Sequence, residues 1–172
     1  MNNLADLVFI FGAKYLYLLV IVIAFAWFLI QPKPRKKEIL IIAGICLPLV
    51  FVISKIVGYL YYNPRPFVVG HFKPLIYHSA DNGFPSHHEL LVSAIAAMIF
   101  IFSRRIGLVL WILALLVGFS RVYAGVHHLI DIAGSILISI GSVTLVYFFR
   151  KSRGRFCFIY KKQNRPLDSK EK

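Results

Sequence analysis

Cysteine is nearly absent. Cys46 lies in an apolar run and Cys157 in a basic stretch of a 172-residue chain. Two isolated cysteines in such unlike settings supply neither a disulfide framework nor a cysteine-based metal site. Acidic residues are also scarce, seven against twenty lysines and arginines, for a formal net charge of +13. That imbalance raises nucleic acid as a partner, but such a partner needs a basic face on a soluble module. Here the cations gather in short clusters between long apolar runs, so no nucleic-acid role is expected. The chain contains no internal repeat and no low-complexity stretch. Its first apolar run lacks a basic segment before it and a small-residue cleavage site after it, which reads as a retained span rather than a cleaved signal peptide.

Apolar residues are plentiful: 59% of the chain, with a mean hydropathy of +0.73, against about 45–50% for soluble domains. Lipid is therefore the expected solvent. The length suits one domain, read as a transmembrane unit over residues 1–150 followed by a basic tail over 151–172. About 20 apolar residues cross a bilayer as a helix. Five segments approach that length: Leu7 to Ile30, Ile39 to Tyr61, Leu90 to Phe102 (short unless it begins back near His88), Ile106 to Phe119 or Tyr123, and Leu129 to Phe149. Backbone polar groups must pair internally in lipid, so these are expected to be helices. The expected fold is an all-α membrane bundle of five spans, with a short surface helix in the outer loop between Val68 and Gly83.

Lys33, Arg35, Lys36 and Lys37 follow the first span, Arg104 and Arg105 follow the third, and the tail after the fifth is rich in Lys and Arg. With five alternating spans these clusters share one side, which the positive-inside rule makes cytoplasmic. The loop from Tyr62 to His87 and the turn at Gly125 then face outward. The exposed tail is read as a topology signal that touches anionic lipid. Tyr59, Tyr61, Tyr62 and Phe67 read as an interfacial aromatic belt.

The remaining polar residues collect at the outward ends of the spans, where ionisable groups are costly and are functional candidates. His127 and Asp131 are four apart and would share a helix face. A carboxylate there fixes the imidazole tautomer and leaves the other nitrogen free to attack; a simple helix cap is the equal alternative. Arg121 lies six residues before His127, and Gly125 between them permits a turn. Arg65 sits in Asn63-Pro64-Arg65-Pro66, stiffened by two prolines. Two guanidinium forks beside a His–Asp pair suit phosphate oxygens. Ser86, with Glu89 three residues on, fits a capping box at the start of the third span. The free N–H groups of that first turn could hold an anion, and His88 within it could protonate a leaving oxygen.

Together these residues resemble the type 2 phosphatidic-acid phosphatase family of membrane lipid phosphatases. Its motifs are Lys-x6-Arg-Pro, Pro-Ser-Gly-His and Ser-Arg-x5-His-x3-Asp. The third is complete from Ser120-Arg121 through His127 to Asp131, the second appears as Pro85-Ser86-His87-His88, and the first as Arg65-Pro66. The resemblance implies that His127 is a nucleophile forming a phosphohistidine, that Asp131 orients it, and that His88 is the general acid which later helps to activate water. It implies that Arg65, Arg121 and Ser86 hold phosphate oxygens, and that no metal or other cofactor is needed because cationic side chains stabilise the transition state. Two positions depart from the family. His87 replaces the motif glycine, where it could narrow the site or touch the head group. The residue seven before Arg65 is Gly58, and the nearest upstream lysine is Lys55, assigned here to phosphate binding together with His87.

Among family branches the chain looks most like bacterial undecaprenyl-diphosphate phosphatases. Lipid A 1-phosphatases and phosphatidylglycerophosphate phosphatases share the motifs. The resemblance thus implies a membrane lipid phosphate as substrate and a multi-pass protein of the bacterial inner membrane, its site facing the periplasm or outside. The oligomeric state is open. A histidine metal site is a competing reading, since His71, His78, His87, His88, His127 and His128 all fall on the outer side, but neither adjacent pair aims both rings at one ion easily. A transporter is another, but no repeats or broken mid-membrane helices appear. A scaffold without catalysis is a third, set against the retention of His88, His127 and Asp131.

Overall fold

A computed structural model describes residues 3–163, with side chains through Ser152. Its helices are α1 (Leu4–Leu29), α2 (Lys33–Leu60), α3 (Pro66–Val69), α4 (His87–Phe102), α5 (Arg104–Tyr123) and α6 (Leu129–Gln163). Four of them, α1, α2, α5 and α6, are long and apolar enough to cross a membrane, and α4 is a shorter apolar helix. The protein is an all-helical, multi-pass membrane protein, as expected from its runs.

Local chemistry sets the boundaries. Asn3 caps α1 in a reciprocal box with Asp6, at 2.8 and 3.1 Å. Pro34 and Pro66 occupy the first turns of α2 and α3, where the missing N–H costs nothing. The short loop helix lies at Pro66–Val69, beginning ahead of the Val68–Gly83 interval anticipated for it and overlapping only its start, because Pro66 presets φ for a first turn. α6 runs on without a break at residue 150, through Gln163. Cys46 is buried and free; the side chain of Cys157 and the last residues of the basic tail lie outside the described residues.

α4 is the central helix, packed against α1, α2, α5 and α6. Lipid tails are as apolar as leucine, so close packing and interhelical hydrogen bonds hold such a bundle together. Gly107 lets α5 approach the backbone of Phe100 where any Cβ would collide. Ser139 of α6 donates to the Leu90 carbonyl at 2.9 Å. Ser135 donates to the Asp131 carbonyl at 2.7 Å, with the Ser86 carbonyl as its alternative acceptor at 3.0 Å.

At 16 residues, α4 spans about 24 Å, short of a hydrocarbon core of about 30 Å. At the N-terminal end of α4 the irregular segments 82–86 and 124–128 are largely buried among the helices. Such backbone is tolerated at depth only when buried in protein with its polar groups satisfied. Those segments build the site.

Candidate active site

Gly125 adopts φ +77° just after α5, a conformation that favours glycine. The reversal brings His127 back over Arg121. His127 and Asp131 are both buried, with His127 Nδ1 3.2 Å from Asp131 Oδ2. An ionised carboxylate only accepts, so Nδ1 carries the proton and Nε2 keeps its lone pair. Arg65 Nη1 lies 3.3 Å and Arg121 Nη2 3.5 Å from that Nε2. Two cations thus flank the ring nitrogen that keeps its lone pair.

Each guanidinium is anchored elsewhere. Arg65 donates through Nε to Asp81 at 2.7 Å and through Nη1 to the Val126 carbonyl at 2.8 Å. Arg121 donates to the Ala13 carbonyl of α1 at 3.1 Å, while its buried Nε has no protein partner. Ser86 Oγ is fully buried and also unpartnered. Buried polar atoms without protein partners are uncommon.

Burial is the main influence on His127, and with the fields of Arg121 and Arg65 it pushes the imidazole down to about 4 despite the opposing pull of Asp131. The ring is neutral in the ordinary pH range. Burial and the same two arginines also lower His78, whose ring stands edge-on to His127 at 6.0 Å. Burial opposes ionisation of Asp81, yet the hydrogen bond from Arg65 holds its carboxyl below the usual range.

Of the residues singled out in the sequence, Arg65, Ser86, Arg121, His127 and Asp131 are buried together at the end of the bundle where α4 begins. His88 is half-buried in the first turn of α4 with its ring edge-on to Tyr17 at 4.9 Å. Lys55 is exposed, its ammonium 5.3 Å over the Phe51 ring, and His87 is exposed too. The Ser86–Glu89 capping box does not form. Ser86 occupies the N-cap without a side-chain bond. Glu89 lies on the inner face of α4, where it accepts from Ser93 Oγ at 2.6 Å and cannot reach back to the cap.

Asn63, Asp81 and Asn82 had no role in the sequence reading, and His78 figured only in the competing metal-site reading. Asn63 Nδ2 donates to Asp131 Oδ1 at 2.7 Å. Asn82 accepts from the Asn63 and Phe84 amides at 2.9 and 3.0 Å, and donates to the Gly58 and Tyr61 carbonyls at 2.7 and 3.0 Å. The available signal was Asn82-Gly83, a turn dipeptide, in the stretch before Ser86. His128, left without a role in the sequence, gives its backbone N–H to Asp131 at 2.8 Å and places Nε2 3.1 Å from the Pro64 carbonyl.

The chain matches the model of the PAP2 superfamily over residues 39–155. It is similar to undecaprenyl-diphosphatase BcrC of Bacillus subtilis (strain 168), 34% identical over 151 residues, covering 88% of this chain and 77% of that protein. It is also similar to a Bacillus licheniformis protein named bacitracin transport permease protein BcrC, 32% identical over 140 residues, covering 80% of this chain and 68% of the other. Its fold resembles that of LpxE from Aquifex aeolicus, with a TM-score of 0.65 at 24% identity, over 86% of this chain and 87% of that one. The matched region carries the Arg65, Ser86, Arg121, His127 and Asp131 cluster, and the chain belongs to the PAP2 superfamily.

Proposed function

We propose that this protein hydrolyses undecaprenyl diphosphate to undecaprenyl phosphate and inorganic phosphate through a phosphohistidine at His127. The observation that carries the reading is His127 itself, with its proton held toward Asp131 and its Nε2 lone pair set between two guanidiniums. In the first step Nε2 attacks the terminal phosphorus and the bond to the bridging oxygen breaks. His88 supplies a proton to the departing lipid phosphate. In the second, water attacks the phosphorus, the P–N bond breaks, and His88 takes up the water proton. Arg65, Arg121 and Ser86 stabilise charge on the equatorial oxygens, while Lys55 and His87, at the rim, meet the head group. Two fixed cations do here what a metal does elsewhere, so no cofactor is invoked. The similarity to a Bacillus undecaprenyl-diphosphatase supports the choice of lipid.

The Lys33–Lys37 and Arg104–Arg105 clusters lie at the end of the bundle opposite the site. By the positive-inside rule, the site faces the periplasm or exterior of a bacterial inner membrane. The functional charges gather at that one end rather than along a mid-membrane path, which supports hydrolysis over transport.

The test is phosphate release by the detergent-purified protein, offered undecaprenyl diphosphate, lipid A and phosphatidylglycerophosphate side by side with excess chelator. Release from the polyprenyl diphosphate with chelator present is the expected result, with an acid-labile, base-stable phosphoenzyme on quenching. Release confined to another lipid would reassign the substrate, and release abolished by chelator would overturn the metal-free chemistry.

The pH profile follows from burial. Free-enzyme ionisations appear in kcat/KM. With His127 lowered from 6.5 to about 4, its acid limb is expected near pH 4. A limb near 6.5 would show that the nucleophile is not the desolvated imidazole described here. The unfolded chain binds the His127 proton more readily than the folded one. This group's contribution to stability is therefore complete above pH 6.5 and is lost as pH falls toward 4, which thermal melts across that window can follow.

A further inference from the structure

We infer that Asn63 is a positioning residue for phosphoryl transfer, acting through Asp131, so that the working unit is Asn63–Asp131–His127 rather than the His–Asp pair alone. The inference rests on the reading of His127 as the nucleophile.

Asp131 is completely buried, and its carboxylate accepts three hydrogen bonds. Oδ2 takes the His128 amide at 2.8 Å and His127 Nδ1 at 3.2 Å, whereas Oδ1 takes only the Asn63 amide at 2.7 Å. The bond to His127 is the longest of the three. The other two therefore fix the plane of the carboxylate, and that plane aims the imidazole. The torsion that turns a carboxylate is broad and soft. Without Asn63, Oδ1 would lose the one side chain that holds it, at a cost to a buried charged acceptor, and the group would turn to relieve it.

Asn63 is itself held for this task. Its N–H donates to Asn82 Oδ1 at 2.9 Å and its carbonyl accepts from Gly83 N–H at 2.8 Å. Asn82 in turn ties the end of α2 through Gly58 and Tyr61, and Pro64 narrows the backbone choices of Asn63. Because a carboxylate only accepts, the Asn63 amide must present its NH2 group, so the side chain has one useful orientation. Gly83 makes the approach feasible: a Cβ there would lie 3.0 Å from both Asp131 Oδ2 and the Asn63 carbonyl. No other side chain reaches Oδ1 among the described residues.

The experiment is a double-mutant cycle on the full-length protein in detergent, reading kcat and KM separately for undecaprenyl diphosphate. Asn63→Ala is expected to lower kcat about 10- to 100-fold, as loss of an outer hydrogen-bond partner does in well-ordered sites, with KM changed less than about 2-fold. Placed in an Asp131→Ala background, the same change should cost nothing further, because the group it acts through is gone. Asn63→Asp keeps the shape and removes the donor. It should lose at least as much, and it serves if the alanine variant folds poorly. Equal losses in both backgrounds, or an unchanged kcat in the Asn63 variants, would overturn the inference. If Asp131→Ala itself left turnover intact, the His–Asp reading above would fall and take this one with it. The two failures are thus told apart.

Discussion

Replacing His127 by alanine is expected to lower phosphate release by at least about 10⁴-fold, the scale seen when a covalent nucleophile is removed, and to abolish the phosphoenzyme. Nothing else in the site can take its place. Asp131 is turned toward Nδ1 rather than toward the arginines, and Ser86 has no base beside its hydroxyl. The fold should survive. Asp131 keeps its bonds to the His128 amide and Asn63, and the bundle does not depend on the His127 ring for its apolar clusters. A thermal melt and a gel-filtration profile close to wild type, beside the lost activity, would establish the chemical role. Activity within about tenfold of wild type would sink His127 as nucleophile, since removal of a covalent nucleophile costs orders of magnitude more.

Arg121→Met should move activity and stability in opposite directions. Arg121 is buried, makes one hydrogen bond to a carbonyl, shares His127 Nε2 with a second cation, and leaves Nε unpaired. No carboxylate forms an ion pair with it among the described residues. A buried cation so poorly paired contributes little to the resting fold, and replacement by an apolar residue of similar length is often neutral or stabilising. In the transition state the same cation faces developing phosphoryl charge, and its loss should cost about 10²–10³-fold in kcat/KM. A ligand that binds only the folded state raises its melting temperature. Orthovanadate should therefore stabilise the wild type and have much less effect on the variant. A large drop in melting temperature with activity retained would show that Arg121 serves structure instead.

Much of the site was legible because its spacing is local. His127 and Asp131 are one helical turn apart, and Arg121 lies just across a glycine turn, so contact among them follows from backbone geometry alone. Arg65 could be placed at the same end from span parity. The partners of these residues were not legible. Asn63 meets Asp131 across 68 positions, Arg65 meets Asp81 across 16, and Arg121 meets Ala13 across 108. Asn, Asp and a backbone carbonyl are commonplace in any loop or helix, so nothing in their local pattern marks them. The Ser86–Glu89 box shows the reverse error. The spacing was right for a cap, but Glu89 falls on the face of α4 that packs against Gly118, and tertiary burial overrode the local option.

The amino-acid sequence by itself determined that the chain crosses the membrane several times as helices, because apolar runs without water must satisfy their backbone internally. It also determined that phosphate chemistry gathers at one end, because charges tolerated near lipid are few and their order along the chain is readable. Only the tertiary structure decided which groups distant in the chain touch. At the end where α4 begins, loop segments pack among the helices, and there the Asn82 side chain stitches α2 to the approach of α4. Those contacts join residues far apart in the chain. Their free energy depends on burial and donor geometry in three dimensions, which local periodicity does not encode.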